Sequence, residues 1–215
     1  MVRISPDDAE QIEAIAALHA ELLPTSTPAR FGHRFMTEFY FTTLVREGLL
    51  LADLFRHDGV YAGFNVYTPA PESFVRDGIR RHPFSLAALV LRLLLESPGR
   101  TLGALWDLLV KSRGMPRGKA EDTAFWLTFG VKEPFTKVRL EPDGRRISGA
   151  LVAEMIQKLR ELGVHRLQGT VAVDNKPALF FSHAFGFRVV ASAQAMEGHH
   201  LLELDLAADP AAAGS

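Results

Sequence analysis

The run Gly144-Arg145-Arg146-Ile147-Ser148-Gly149 places two arginines at what reads as the start of a helix. Backbone N–H groups left without partners in a first helical turn, aided by the helix dipole, favour an anion such as pyrophosphate, and Arg145 and Arg146 add charge there. A solvated basic loop is the alternative reading. Further on, VDNKPALFFSHAFGF at 173–187 sets Ser182 beside His183 in a short aromatic helix that stops at a glycine. A hydroxyl and an imidazole can both exchange protons, but successive helix residues point about 100° apart, so the two need not share a centre. His199 and His200 alternate across a strand, which argues against a shared metal, and no metal is expected. The chain has no cysteine, which removes thiol nucleophiles, thiolate metal sites and disulfides.

The elements that must hold these residues follow from periodicity. Ser5-Pro6-Asp7-Asp8 offers a cap, a first-turn proline and acid near the dipole before Ile12, Ile15, Leu18 and Leu22, predicting a helix to about Leu23. Pro24 and Pro28 predict a break, then a helix over 33–45 that buries Met36, Tyr40 and Leu44 or the neighbouring Phe35 and Phe39 stripe. Residues 49–56 and 60–67 read as two strands joined by the turn His57-Asp58-Gly59.

Residues 83–114 read as two helices parted by Ser97-Pro98-Gly99, the first apolar on nearly every face and so expected to be covered. The simplest cover is the rest of the domain; a lid, a homodimer contact or an acyl-chain groove are the others. Strand 124–131, an irregular loop, helix 148–162, strand 167–173, the aromatic helix, and an antiparallel pair turning at Glu197-Gly198 complete the chain, with Leu202, Leu204 and Leu206 facing inward. The organisation expected is one domain over 1–207 with an insertion at about 83–114 and a disordered tail at 208–215.

Composition narrows the function. The 24 basic and 25 acidic residues nearly cancel, without a long basic run, so no nucleic-acid footprint is expected. No apolar run reaches membrane-spanning length and the acidic start does not read as a signal peptide, which makes cytoplasmic the expected location.

With its motifs and element order together, the sequence resembles the GNAT N-acyltransferase superfamily. That family carries Asn-x-x-Ala-x-x-x-Tyr-x-x-x-Gly-Phe, and Asn175, Ala178, Gly186 and Phe187 stand at those intervals. It also carries Gln/Arg-x-x-Gly-x-Gly/Ala, matched in degenerate form by Asp143, Arg146 and Ser148 or, in another register, by Arg145, Ser148 and Ala150. The order β-α-α-β-β-insertion-β-α-β-α-β-β is the family's own, and residues 22–44 are similar to a bacterial subgroup with a helical insertion before the fourth strand. The resemblance implies an α/β fold with a mixed sheet, and a CoA-dependent N-acyltransferase that passes acetyl from acetyl-CoA to a small-molecule amine. A non-catalytic protein of the same fold that binds acyl-CoA or another ligand is the other reading.

The resemblance further implies a coenzyme site at Val131, Arg145, Arg146, Ile147, Ser148, Gly149, Ala150, Asn175, Ala178 and Phe181. The pantetheine arm would run like a strand between residues 131 and 167–173, while an N–H donor on the central strand steadies the oxyanion and an acid protonates the departing thiolate. This chain departs where the family's acid stands, since the tyrosine position is Ser182. Ser182, His183 and Tyr67 are the candidate donors to the thiolate, and Glu133, after the central strand, is the candidate base. The loop 132–144 is longer than the family usually has there, so it is expected either to close over the coenzyme or to displace it.

Overall fold

The computed structural model describes residues 1–71, 73–111, 122–142, 144–191 and 198–207. The expected tail at 208–215, Asp143, Glu197 and the last three residues of the expected insertion lie outside them.

After β1 (Val2–Arg3), α1 (Ala9–Leu22) begins later than Ser5 suggests. Asp8 is the cap, its carboxylate accepting the Gln11 N–H at 3.1 Å, while the Ser5 N–H donates to the Gln11 side chain at 3.0 Å. The proline stretch read as a break folds into a short α2 (Thr27–Phe31), capped by Ser26 Oγ accepting the Ala29 N–H. Then α3 (His33–Phe35), a π-helical segment (Met36–Thr43) and α4 (Leu44–Arg46) run on without a break. The hydroxyls of Thr42 and Thr43 donate to carbonyls five residues back, at 2.6 and 2.9 Å, in step with the wide turn. Met36, Phe39, Tyr40 and Leu44 are all buried, so the two alternative stripes both reach the core.

β2 (Leu51–His57) and β3 (Val60–Thr68) form the expected hairpin, with Asp58 at φ 49° and Gly59 at φ 80° in the left-handed region that a type I′ turn needs. The sequence gives no sign of α5 (Phe74–Arg81), whose Gly78 reads as a breaker. Here that glycine is what lets the helix close on α4, because a Cβ would lie 2.7 Å from Leu44 Cδ2. α6 (Pro83–Glu96) and α7 (Pro98–Lys111) are the two insertion helices. β4 (Thr123–Val131), α8 (Ile147–Glu161), β5 (Arg166–Ala172), α9 (Lys176–Ala184), β6 (Arg188–Ala191) and β7 (His199–Asp205) follow in the expected order.

The seven strands make one sheet in the order β1-β2-β3-β4-β5-β7-β6. Only β4 and β5 pair in parallel, as the crossover through α8 requires. α1 and the π segment cover one face through Ile15, Met36, Phe41 and Phe64; α8 covers the other, packing Val152, Met155 and Leu159 with Ala124 and Leu167. Leu202 and Leu206 are buried and Leu204 half-buried, as the inward alternation predicts. The described residues of the domain do not cover α6 all round. Leu89 and Leu93 bury against the α1 side, but Phe84, Leu91 and Leu95 are exposed.

Candidate functional site

The sheet opens where its two parallel strands part. β4 and β5 pair from Thr123↔Arg166 to Trp126↔Gly169, and there the pairing stops. Beyond it β4 stays with β3 to Val131, and β5 stays with β7 to Ala172. The register of β4 on β3 slips at the same point: Tyr67 faces Trp126 and Val66 faces Thr128, leaving Leu127 as an extra residue. An extra residue bends a strand and increases its twist, so the bulge turns β4 away from β5. Among the described residues the β5-side edge of β4 over 127–131 therefore has no strand beside it and presents backbone donors and acceptors to the opening.

Two helix ends border that opening. At one, Ile147 is buried with Leu151, Phe55 and Ala62 and packs with Val131, which fixes the start of α8 at the far end of β4. Its cap position, Arg146, makes no side-chain capping hydrogen bond, so the first N–H groups of α8, on Ile147, Ser148 and Gly149, lack the helical partner that later residues have. Arg145 and Arg146 are exposed beside them. The loop before α8 packs on the core beside this end. After a 3₁₀ turn (Glu133–Phe135) it packs Phe135, Val138 and Leu140 against Ile147 and Leu151, then doubles back with Arg139 bridged to Arg146 and Leu140 N–H bonded to Arg145 O at 2.7 Å.

At the other border stands α9. Asn175 caps it, its Oδ1 accepting the Ala178 N–H at 3.1 Å, and Gly186 at φ 88° ends it. Its rings reach across the opening: Phe181 stacks on Phe129 of β4 at 5.7 Å, Phe185 lies 5.1 Å from Phe181, and Trp126 lies 5.6 Å from Phe129 and 5.8 Å from Phe187. A Cβ on Gly149 would sit 3.7 Å from Phe185 Cζ, so the start of α8 and the end of α9 nearly touch. On the opposite face Gly130 admits α1 closely, because a Cβ there would lie 2.8 Å from Leu22 Cδ1.

Of the expected site residues, Val131, Ile147, Ser148, Gly149 and Ala150 thus gather at the start of α8, and Asn175, Ala178 and Phe181 along α9. The Ile147 side chain belongs to the core, which leaves its backbone for any ligand. Sequence reasoning missed Trp126, Phe129 and Phe185; the aromatic runs in AFWLTFGV and, for Phe185, VDNKPALFFSHAFGF were the signals, and both read equally well as ordinary core.

The hydroxyl candidates are engaged elsewhere. Ser182 is buried and its Oγ donates to the Ala178 carbonyl at 2.9 Å, one turn back in its own helix. Tyr67 is turned away from the opening. Its OH accepts from Arg3 Nη2 at 2.7 Å and donates to Asp53 Oδ2 at 2.9 Å, across β2 toward β1, while the opening lies beyond β4. Burial, then the Asp53 carboxylate, pushes its phenol well above the usual tyrosine range. The structure therefore corrects the expectation for Tyr67, whose hydroxyl closes a buried cluster instead of facing a cleft. His183 is exposed, and its Nδ1–H donates to the Phe187 carbonyl at 2.8 Å, which ties down the end of α9. Glu133 is exposed in the turn after β4. His19, unremarked in the sequence, is fully buried between α1 and the sheet, stacked on Phe64 at 5.3 Å and sharing a 2.8 Å hydrogen bond with Ser26; burial lowers its pKa to about 4. Among the described residues no cluster of three metal-ligating side chains occurs.

No family model matches the sequence, and no curated protein matches it. Solved structures do match the fold over nearly the whole chain. A GNAT-family protein from Desulfovibrio desulfuricans aligns with a TM-score of 0.53 at 15% identity, covering 96% of this chain and 98% of that one. SsHAT aligns at 0.55 and 20% identity over 96% and 98%. The GNAT domain of S. lividans PAT aligns at 0.54 and 16% identity over 95% and 88%. The chain has the GNAT fold, a mixed α/β architecture.

Proposed function

We propose that this chain is a CoA-dependent N-acyltransferase that passes an acetyl group from acetyl-CoA to an amine of a small molecule. The observation that carries this reading is the bulge at Leu127, which parts β4 from β5 and leaves a bare strand edge between an uncapped helix start and the aromatic side of α9. On this reading the pyrophosphate lies on the N–H groups of Ile147, Ser148 and Gly149, with Arg145 and Arg146 adding charge. The pantetheine arm pairs with residues 127–131 as a strand would, against the ring of Phe181, with Asn175 and Ala178 framing α9. The amine enters from the α1 side, attacks the thioester carbonyl, and a β4 N–H holds the oxygen that becomes negative.

Proton traffic on this reading differs from the family's. Glu133 takes a proton from the incoming ammonium through water. The departing thiolate is a tolerable leaving group, since thiols ionise near pH 8.5, so a thiolate can depart into solvent without a tyrosine beside it. Proximity on the bare strand edge then supplies much of the rate. The fold match supports the general class, and a cytoplasmic location and a single domain over 1–207 remain part of the proposal.

Isothermal calorimetry with acetyl-CoA, followed by thiol release over a panel of small amines, tests this directly. Binding with turnover is expected; no heat at millimolar coenzyme sinks the reading. The closed hydroxyls of Ser182 and Tyr67 favour one second reading, an acyl-CoA-binding protein without turnover, and binding with no thiol released across the panel would select it.

A further inference from the structure

A surface helix normally turns polar residues to water, and α6 does the reverse. Leu89 and Leu93 hold its inner side to the core, while Phe84, Ala88, Leu91 and Leu95 fall within an outward arc of about 60° at helical spacing. Phe84 is 88% exposed and Leu95 80%. α7 repeats the pattern, with Thr101 and Ala104 inward and Leu102 and Trp106 outward, the last 68% exposed.

Charge narrows the occupant further. From Phe74 to Trp106 the chain carries five arginines, Arg76, Arg80, Arg81, Arg92 and Arg100, against Asp77 and Glu96, although its overall net charge is −1. Arg92 borders the apolar arc directly, and Arg80 and Arg81 stand just before Phe84; all three are exposed, and Arg81 also pairs with Glu47 at 2.8 Å, while Arg76 pairs with Asp77 and Arg100 lies against Gly32 on the inner side of α7. A second copy docked by two-fold symmetry would set this basic patch against itself. A partner that is negatively charged at its surface and apolar just beneath suits both features. Among the described residues no helix is long and apolar enough to cross a membrane, which leaves a peripheral mode.

We infer that the outward face of α6 and α7 docks on anionic lipid bilayers. Phe84, Leu91, Leu95, Leu102 and Trp106 enter the boundary between headgroups and acyl chains, and Arg80, Arg81 and Arg92 meet lipid phosphates. The test is flotation of the full chain with phosphatidylcholine vesicles made with and without phosphatidylglycerol. Binding to the anionic vesicles is expected, and it falls at least about ten-fold at high salt or in the Leu91→Ser, Leu95→Ser double variant. Both side chains are exposed, so the variant should keep its circular dichroism and melting point. Trp106 emission should shift to the blue on binding and the shift should vanish in Trp106→Phe, which leaves Trp126 as the only tryptophan. Absence of binding to either vesicle, or binding that the double variant leaves intact, overturns the inference. So does a wild-type dimer in sedimentation that the double variant dissociates, which would assign the face to a second copy.

Discussion

Ser182 is the residue where the family pattern and this chain part, and its geometry makes its replacement by alanine informative. Its hydroxyl donates to Ala178 O inside its own helix, an acceptor that already serves the helix ladder, so Ser182→Ala should cost no more than about 1 kcal/mol of stability. Acyl transfer should stay within about two-fold, since a ten-fold loss would mean about 1.4 kcal/mol of transition-state stabilisation from a hydroxyl already bonded within its own helix. Such a loss would return Ser182 to the chemistry. The larger change reads the packing: Ser182→Tyr puts a phenol into a space only 3% exposed and should destabilise by about 1–3 kcal/mol in urea denaturation, without raising turnover. Tyr67 separates structure from chemistry in the other direction. Tyr67→Phe removes the hydroxyl shared by Arg3 and Asp53 and should cost about 1–3 kcal/mol while leaving kcat in place. A fall in kcat with unchanged stability would contradict the orientation of that ring.

Among the elements, α8 carries the proposed anion site, and a single acidic residue tests it because the two consequences have opposite signs. A carboxylate in a first helical turn interacts well with the dipole, so Ser148→Asp should hold or raise the melting point, by about 0.3–1 kcal/mol at most. The same charge beside the N–H groups of Ile147 and Gly149 repels a pyrophosphate, and coenzyme affinity should drop at least about ten-fold by calorimetry. Unchanged affinity would remove the helix start from the site. The helices on the α8 side of the sheet were legible in the sequence because local signals define them. Leu151, Met155 and Leu159 keep helical spacing, and Gly163 and Gly186 stop their helices with φ values of 74° and 88°. Gly78 and Leu127 show why other parts were not. Gly78 breaks a helix in isolation and admits one only because Leu44 lies where its side chain would be. Nothing within AFWLTFGV marks Leu127 as the extra residue; the bulge comes from pairing with β3 on one side and losing β5 on the other. The ring stack of Phe129 on Phe181 likewise joins segments that only the folded sheet brings together.

At the scale of the whole molecule, the two faces of the sheet respond to acid in opposite senses. On the α1 face His19 is fully buried, and burial lowers its pKa from 6.5 to about 4. Between those values the unfolded chain binds a proton that the folded chain refuses, so stability rises with pH across that window. The contribution is complete above about pH 6.5 and is lost as pH falls toward 4, amounting to about 3 kcal/mol if the full difference is realised. On the α8 face burial raises the Asp53 carboxyl despite the offset from Arg3 and Tyr67. A raised carboxyl favours the folded chain at low pH and loses that advantage as pH climbs through its folded value, so Asp53 opposes the histidine and shallows the slope near the acid end. Urea denaturation at pH 7.5 and pH 5 should therefore show the wild type clearly less stable at the lower pH. His19→Leu removes the titrating ring while keeping an apolar side chain against Phe64 and Phe41. Whatever it costs at pH 7.5 through the lost bond to Ser26, its stability should change much less between the two pH values. An equal slope in the variant would mean that the acid sensitivity of this fold arises from other groups and that the buried imidazole stays within reach of protons.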